Sequence, residues 1–191
     1  GLRNLGATCY MNSILQQLAY NKMFRNSLFR LDSSNTNSIA SELQKVVAHL
    51  ELSNRSFADT EKFTSEWKQK GFPRFDPRVQ EDVVEFFHCL LDHLPDDLKK
   101  MFTGEQVNIF EGLNVSFRKT VSEPFSSIEI PVSTTFSEGM KSVSSTTMFV
   151  GNNKYTSEEF GKIDVSMKTK IVKFPNTFVI QLKRFDFSLK S

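Results

Sequence analysis

Cysteine is scarce in this chain: Cys9 and Cys89 are the only two in 191 residues. Two thiols close at most one disulfide, which excludes a disulfide framework. With only three histidines, His49, His88 and His93, they do not read as a four-ligand zinc centre either. No uninterrupted apolar run approaches the roughly 20 residues that a membrane-spanning helix needs. The first residues lack the basic-then-apolar order of a secretory signal. Charge of one sign is lacking too. The 24 basic and 22 acidic residues leave a net charge of +2, which gives no reason to expect nucleic acid or an anionic membrane as partner. Internal repeats are missing. Free thiols and these absences fit a reducing cytoplasmic or nuclear setting, and no cofactor is expected.

What is present is ordinary for a globular protein: 39% hydrophobic and 24% charged residues, with phenylalanine frequent at 19. The length suits one domain, or one and a half, with a core large enough to need no staples. Apolar residues at Met11, Ile14, Leu15 and Leu18 have helical spacing and predict a helix from Cys9 to Asn21. Residues 22 to 38 read as a connection, ending in the polar run Asp32 to Ser38. A helix is predicted from Ile39 to Leu52, with Ile39, Leu43, Val46, Val47 and Leu50 on one face. A shorter one is predicted from Thr60 to Lys70, before a loop imposed by Gly71, Pro73 and Pro77. Gln80 to Leu94 predicts a further helix, with Val83, Phe87, Leu90 and Leu94 as its buried stripe. Asp96 to Phe102 adds a helical turn or two. Beyond Gly104 the pattern changes to period two, predicting strands at Gln106–Phe110, Val115–Val121, Phe125–Ile130, Thr146–Val150, Lys168–Phe174 and Thr177–Phe187. A short helix at Phe136–Ser144 and a turn at Gly151–Asn153 interrupt them. Helices followed by strands predict an α+β fold with two unequal lobes and a cleft between them.

Cys9 is the residue with chemistry in prospect. The small-residue turn Gly6-Ala7 and a helix-capping type, Thr8, precede it, which places it in the first turn of a helix. There the unpaired N–H groups and the helix dipole favour a thiolate. Free cysteines are also commonly inert packing residues, and Cys89, mid-helix beside Phe86 and Leu90, reads that way. A nucleophilic thiol needs a base and a group to stabilise an oxyanion. Asn4 lies across the turn, close enough to aim its amide at the same centre, although turn formation is a common use of asparagine. None of the three histidines has the sequence context of a paired base.

The stretch Gly1-Leu2-Arg3-Asn4-Leu5-Gly6-Ala7-Thr8-Cys9-Tyr10-Met11-Asn12-Ser13 closely resembles the cysteine box of the ubiquitin-specific proteases, which are papain-like cysteine deubiquitinases. Gln80-Glu81-Asp82-Val83-Val84-Glu85-Phe86 resembles their second signature, Gln-(Gln/Glu)-Asp-x-x-Glu-Phe. Phe178-Val179-Ile180-Gln181-Leu182-Lys183-Arg184-Phe185 resembles the strand before their histidine box. Glu123-Pro124-Phe125 and Ile128-Glu129-Ile130-Pro131 fall where the family has a strand ending in proline. The resemblance implies a right-hand architecture of the papain-like superfamily. Residues 1–102 would be a helical thumb carrying the nucleophile, and residues 103–191 the β-rich fingers and palm. It implies Cys9 as nucleophile, Asn4 as oxyanion donor, and Gln80 and Asp82 as residues lining the channel for the ubiquitin tail. Ubiquitin and ubiquitinated proteins would be the partners of a monomeric enzyme.

Two departures from the family pattern carry expectations. Zinc-binding Cys-x-x-Cys knuckles, frequent at the family's fingertips, have no counterpart at Gly112–Val115 or Ser157–Phe160, so no structural zinc is expected. The family's Gly-His-Tyr motif and its following Asp or Asn would lie downstream of the last predicted strand, past Ser191. The chain alone is therefore expected to have little or no hydrolytic activity and to be part of a longer protein. The alternatives are a catalytically inactive ubiquitin-binding or scaffold relative, and a protease for another ubiquitin-like modifier.

Overall fold

Apolar residues spaced three and four apart build the first hundred residues into helices, and period-two patterning builds the rest into strands. The computed structural model describes residues 1–32, 38–72 and 74–184. Part of the polar run Asp32–Ser38, Pro73 of the predicted loop, and the end of the last predicted strand past Arg184 lie outside these. The chain divides into two compact units, Gly1–Met101 and Phe102–Ser191, and its architecture is α+β.

The first unit contains α1 (Cys9–Tyr20), α2 (Lys22–Phe29), α3 (Ser38–Leu52), α4 (Glu61–Glu66), α5 (Val83–Asp92) and α6 (Asp96–Lys99). A π-helical turn (Trp67–Gly71) continues α4, and a 3₁₀ turn (Lys100–Phe102) follows α6. Met11, Leu15, Phe24, Leu28, Leu43, Val47, Phe63 and Trp67 form its core. The segment read as a connection is in fact helical over α2. Asn21 caps it, accepting a hydrogen bond from the Phe24 N–H at 3.1 Å, and Phe24 and Leu28, four apart, are buried.

Helix α5 begins later than the residue pattern implied. The Asp82 carboxylate accepts from the N–H groups of Val84 at 2.7 Å and Glu85 at 2.9 Å. It is therefore the N-cap, and Gln80 and Glu81 precede the helix. Of the expected stripe, Phe87, Leu90 and Leu94 are buried; Val83 is instead 38% exposed, and Phe86 is buried in addition. The reason is aromatic packing: the Phe86 ring lies 4.9 Å from Trp67 and 5.6 Å from Tyr10, edge-on to both.

Among its described residues the second unit contains β1 (Gly104–Gly112), β2 (Arg118–Phe125), β3 (Ser127–Pro131), α7 (Phe136–Val143), β4 (Thr146–Phe149), β5 (Tyr155–Ser157), β6 (Gly161–Ile163), β7 (Val165–Lys173) and β8 (Val179–Lys183). Four of them form an antiparallel sheet in the order β2-β1-β7-β4. β3 and β8 pair in parallel, and β5 and β6 form a hairpin. Inside the larger sheet, Asn108 is buried but satisfied by Glu123 at 3.0 Å and Thr169 at 2.7 Å. A second core forms around Phe125, Ile128 and Ile130, with Met140, Val143, Ile171, Phe178 and Ile180 packed on it. Val115 to Phe117, predicted as strand, make the turn into β2 instead, closed by Phe117 N–H to Val115 C=O at 2.8 Å.

The two places without zinc knuckles are the β1–β2 turn and the β5–β6 turn, and phenyl and phenol rings meet beside them. Phe117 lies 5.5 Å from Tyr155 and 6.4 Å from Phe160, and Phe110 lies 5.2 Å from Tyr155. Among the described residues, no group of three or more His, Cys, Asp or Glu is placed to hold a metal ion. Likewise, none of their helices is long and apolar enough to cross a membrane.

Candidate active site around Cys9

Cys9 is the first residue of α1 and is exposed. Thr8 occupies the N-cap position, and its residue type predicts a cap, yet its side chain makes no capping bond. The hydroxyl is turned back into the preceding loop. It donates to Asn4 Oδ1 at 3.0 Å and accepts from the Leu5 N–H at 3.1 Å. Asn4 Oδ1 also accepts from the N–H groups of Gly6 at 3.1 Å and Thr8 at 3.2 Å. Three donors converging on one oxygen fix the amide's orientation. Asn4 Nδ2 is left exposed and without a partner among the described residues. Because nothing caps α1, the N–H groups of Cys9, Tyr10 and Met11 are likewise unpartnered among the described residues. The first bond of the helix is Asn12 N–H to Thr8 C=O at 2.9 Å.

A loop from far along the chain packs against this one. Gly6 has φ of 135°, and a Cβ there would stand 2.8 Å from the Pro77 carbonyl oxygen. Both the backbone angle and the approach require glycine. The same Pro77 carbonyl accepts from the Ala7 N–H at 2.6 Å. Pro77 is held by its neighbours: Asp76 accepts from Arg78 N–H, Nε and Nη2 at 2.9, 3.1 and 2.9 Å. The Arg78 guanidinium, seconded by that backbone bond, holds the Asp76 carboxyl down at about 2.

This packing brings Gln80 to the thiol. Cys9 Sγ donates to Gln80 Oε1 at 3.9 Å, across 71 residues of sequence. Asp82 caps α5 through Oδ1 alone; its Oδ2 has no partner among the described residues and the side chain is exposed. Of the four residues singled out from the sequence, Cys9 and Gln80 are joined by a hydrogen bond, and Asn4 is bonded to Thr8, the residue before Cys9. Asp82 stands two residues beyond Gln80.

Three supports of the site were not visible in the residue pattern: the diverted Thr8 hydroxyl, the Pro77 carbonyl, and the aromatic stack beneath α1. Tyr10, next to the thiol, packs on Phe86, which packs on Trp67. Burial, with the charges of Glu81 and Cys9 adding to it, pushes the Tyr10 hydroxyl up to about 12. The phenol is therefore a neutral wall of the site. Tyr10, Trp67, Phe72, Glu81, Asp82, Glu85, Phe86 and Cys89 line a small pocket. Nothing in the sequence around Gly6 or Pro77 says that the two loops meet.

None of the three histidines bonds to Cys9. His93 directs Nδ1 at the Cys89 carbonyl, 2.8 Å away, and Nε2 at the Lys70 carbonyl, 3.0 Å away. His49 lines a separate groove with Glu42, Lys45, Asp59 and Phe63. His88 lies on the exposed side of α5, its ring 5.8 Å from Phe87.

The two cysteines differ in a way that labelling detects. Cys89 is half-buried, and burial pushes its thiol up, with the Asp92 and Glu85 charges adding to the effect. The thiolate is the reactive form. A brief exposure to iodoacetamide at neutral pH is therefore expected to modify the exposed Cys9 and spare Cys89, with Cys89 labelling appearing only in alkaline solution. Peptide mass spectrometry reads this directly, and equal labelling at neutral pH would contradict it.

Comparison with known proteins gives this geometry a context. The family model described as ubiquitin carboxyl-terminal hydrolase matches residues 1–191. The chain is 30% identical over 203 residues to ubiquitin carboxyl-terminal hydrolase 15 of Schizosaccharomyces pombe, covering 99% of this chain and 18% of that protein. It is 32% identical over 207 residues to ubiquitin C-terminal hydrolase 12 of Arabidopsis thaliana, covering 98% and 18%. With ubiquitin carboxyl-terminal hydrolase 7 of Drosophila melanogaster it shares 29% identity over 201 residues, 98% of this chain and 17% of that protein. The chain thus spans 16–18% of the length of the curated relatives it matches. A family model that takes in the whole chain, relatives aligned along nearly all of it, and a cysteine set at a helix start lead to one conclusion: the chain belongs to the ubiquitin carboxyl-terminal hydrolase family, in its ubiquitin-specific protease branch.

Proposed function

We propose that this chain supplies the nucleophile and oxyanion site of a thiol-dependent deubiquitinase. Its helical part (residues 1–102) serves as the thumb and its β-rich part (residues 103–191) as fingers and palm. The observation that carries the proposal is the Cys9 constellation: an exposed thiol at a helix start, with Gln80 Oε1 at 3.9 Å and the Asn4 amide locked in orientation by Thr8, the residue before Cys9.

In this reading the Cys9 sulfur attacks the carbonyl carbon of the last glycine of ubiquitin, and its proton passes to a histidine outside these 191 residues. An S–C bond forms and the oxygen becomes an oxyanion, met by Asn4 Nδ2 and the free N–H groups at the start of α1. The C–N bond to the substrate amine then breaks, and the amine leaves with the proton from the histidine. Water, activated by the same base, hydrolyses the thioester, releasing the ubiquitin carboxylate and regenerating the thiol. Gln80 and Asp82 Oδ2 border the approach to Cys9 and would accept N–H groups or a cationic side chain of the extended tail.

Ubiquitin bearing a C-terminal electrophile tests this. The full-length protein is expected to form a covalent adduct whose cross-linked peptide contains Cys9. No adduct would end the deubiquitinase reading, and an adduct that survives Cys9→Ala would end the role of Cys9. The second reading is an inactive ubiquitin-binding relative. That protein would bind ubiquitin and leave the electrophile untouched. If probes of other ubiquitin-like modifiers react and ubiquitin does not, the modifier is wrong and the chemistry right.

A further inference from the structure

Resting on the hydrolase reading above, we infer that Thr8 is a positioning residue whose hydroxyl sets the Asn4 amide for oxyanion stabilisation. Thr8 is wholly buried, with 0% of its surface exposed, and stands where a threonine ordinarily stabilises a helix by bonding to the first turn. It does not do so. Its hydroxyl donates to Asn4 Oδ1 and accepts from the Leu5 N–H, which closes residues 4 to 8 into a ring of hydrogen bonds. The stiffness of a β-branched side chain helps to hold that ring.

The diversion has two consequences for one site. It adds the only side-chain donor among the three that fix Asn4 Oδ1, the others being backbone N–H groups. It also keeps the first-turn N–H groups of α1 free of a cap. Asn4 Nδ2 is therefore held in place, and the N–H groups of Tyr10 and Met11, the ones a cap would engage, stay free; the Cys9 N–H has no cap partner in either case. A threonine that capped α1 in the ordinary way would occupy one of those N–H groups and release Asn4 to other rotamers. Thr8 touches no substrate atom, and its effect on rate runs through Asn4.

A double-mutant cycle on the full-length protein tests this, using a ubiquitin C-terminal amide that releases a fluorophore. Asn4→Ala is expected to lower kcat by about 100- to 1,000-fold, the usual cost of an oxyanion donor. Thr8→Val is expected to lower kcat about tenfold with KM unchanged, the effect of one orienting hydrogen bond. Thr8→Ser, which keeps the hydroxyl, is expected to restore most of the rate. Thr8→Val in the Asn4→Ala background is expected to cost less than twofold more, because the residue acts through an amide already removed. Should Thr8→Val fail to fold, Thr8→Ala replaces it in the cycle, since it lacks the hydroxyl without adding bulk. Equal losses in both backgrounds, a Thr8→Ser as slow as Thr8→Val, or an unaffected kcat in Thr8→Val would overturn the positioning role while Asn4 keeps its own. An Asn4→Ala variant as fast as the parent would instead overturn the oxyanion reading, and the role of Thr8 with it.

Discussion

Replacing Cys9 with alanine is expected to abolish turnover of ubiquitin amides by the full-length protein while leaving ubiquitin binding intact. Removing a catalytic nucleophile from a protease leaves only the oxyanion site and binding contributions, and costs on the order of 10⁴- to 10⁶-fold in kcat. The geometry explains why binding and stability should survive. The Cys9 side chain is exposed and makes a single long bond, to Gln80 at 3.9 Å. Substitutions at such positions change stability by no more than about 0.5 kcal/mol. Titration of the variant with ubiquitin, followed by fluorescence anisotropy, should therefore give the parental affinity, and turnover should fall to background. Residual turnover within about tenfold of the parent would mean that another residue carries the chemistry.

Trp67→Ala is expected to destabilise the helical unit by about 3–5 kcal/mol, as removing a large buried aromatic residue does. Trp67 is 2% exposed and ties together elements remote in sequence. Its ring stacks on Phe63 at 6.3 Å and meets Phe86 at 4.9 Å and His93 at 5.7 Å edge-on. It also opens the π-helical turn whose Lys70 carbonyl faces His93 Nε2. A void there removes the partner of Phe86, which in turn supports Tyr10 beside the thiol. Far-UV circular dichroism in urea should show an earlier midpoint, with Trp67→Phe intermediate between the alanine variant and the parent. A midpoint unchanged in Trp67→Ala would show that this cluster is not what holds α4 to α5.

Much of this was open to reading in the residues, for reasons that differ along the chain. The spacing of Met11, Leu15 and Leu18 set α1, because they bury one face against a single core, and β-branched and aromatic residues alternating with polar ones set β1. The family was legible because thirteen contiguous residues around Cys9 encode a local loop and helix start whose chemistry is in the sequence itself. Helix α2 was obscured because its two buried residues, Phe24 and Leu28, are too few for a periodic signal, although Asn21 was available as its cap. The start of α5 was misjudged because the acids of Gln80 to Glu85 suit a helix interior as well as a cap; only the bonds of Asp82 to Val84 and Glu85 decide it. Thr8 shows the opposite failure. Its type and position predict a cap, and a competing acceptor four residues earlier won the hydroxyl. The three-residue strands β5 and β6 carry too little pattern to find. The Gly6–Pro77 contact had no local signature, since two loops that meet across seventy residues leave no mark in either one.

That last contact bears on how the site comes into being. Arg3 N–H to Ala58 C=O at 3.0 Å, Ala58 N–H to Gly1 C=O at 2.8 Å and Ala7 N–H to Pro77 C=O at 2.6 Å fasten the first residues to segments far downstream. The thiol–Gln80 bond spans 71 residues. Closing loops of this length carries an entropic cost that local helices do not bear, so such contacts form after the helices that frame them. A chain still emerging, or trapped before these loops close, holds Cys9 on a loose segment without Gln80 beside it. The constellation around Cys9 therefore exists only once these long loops have closed.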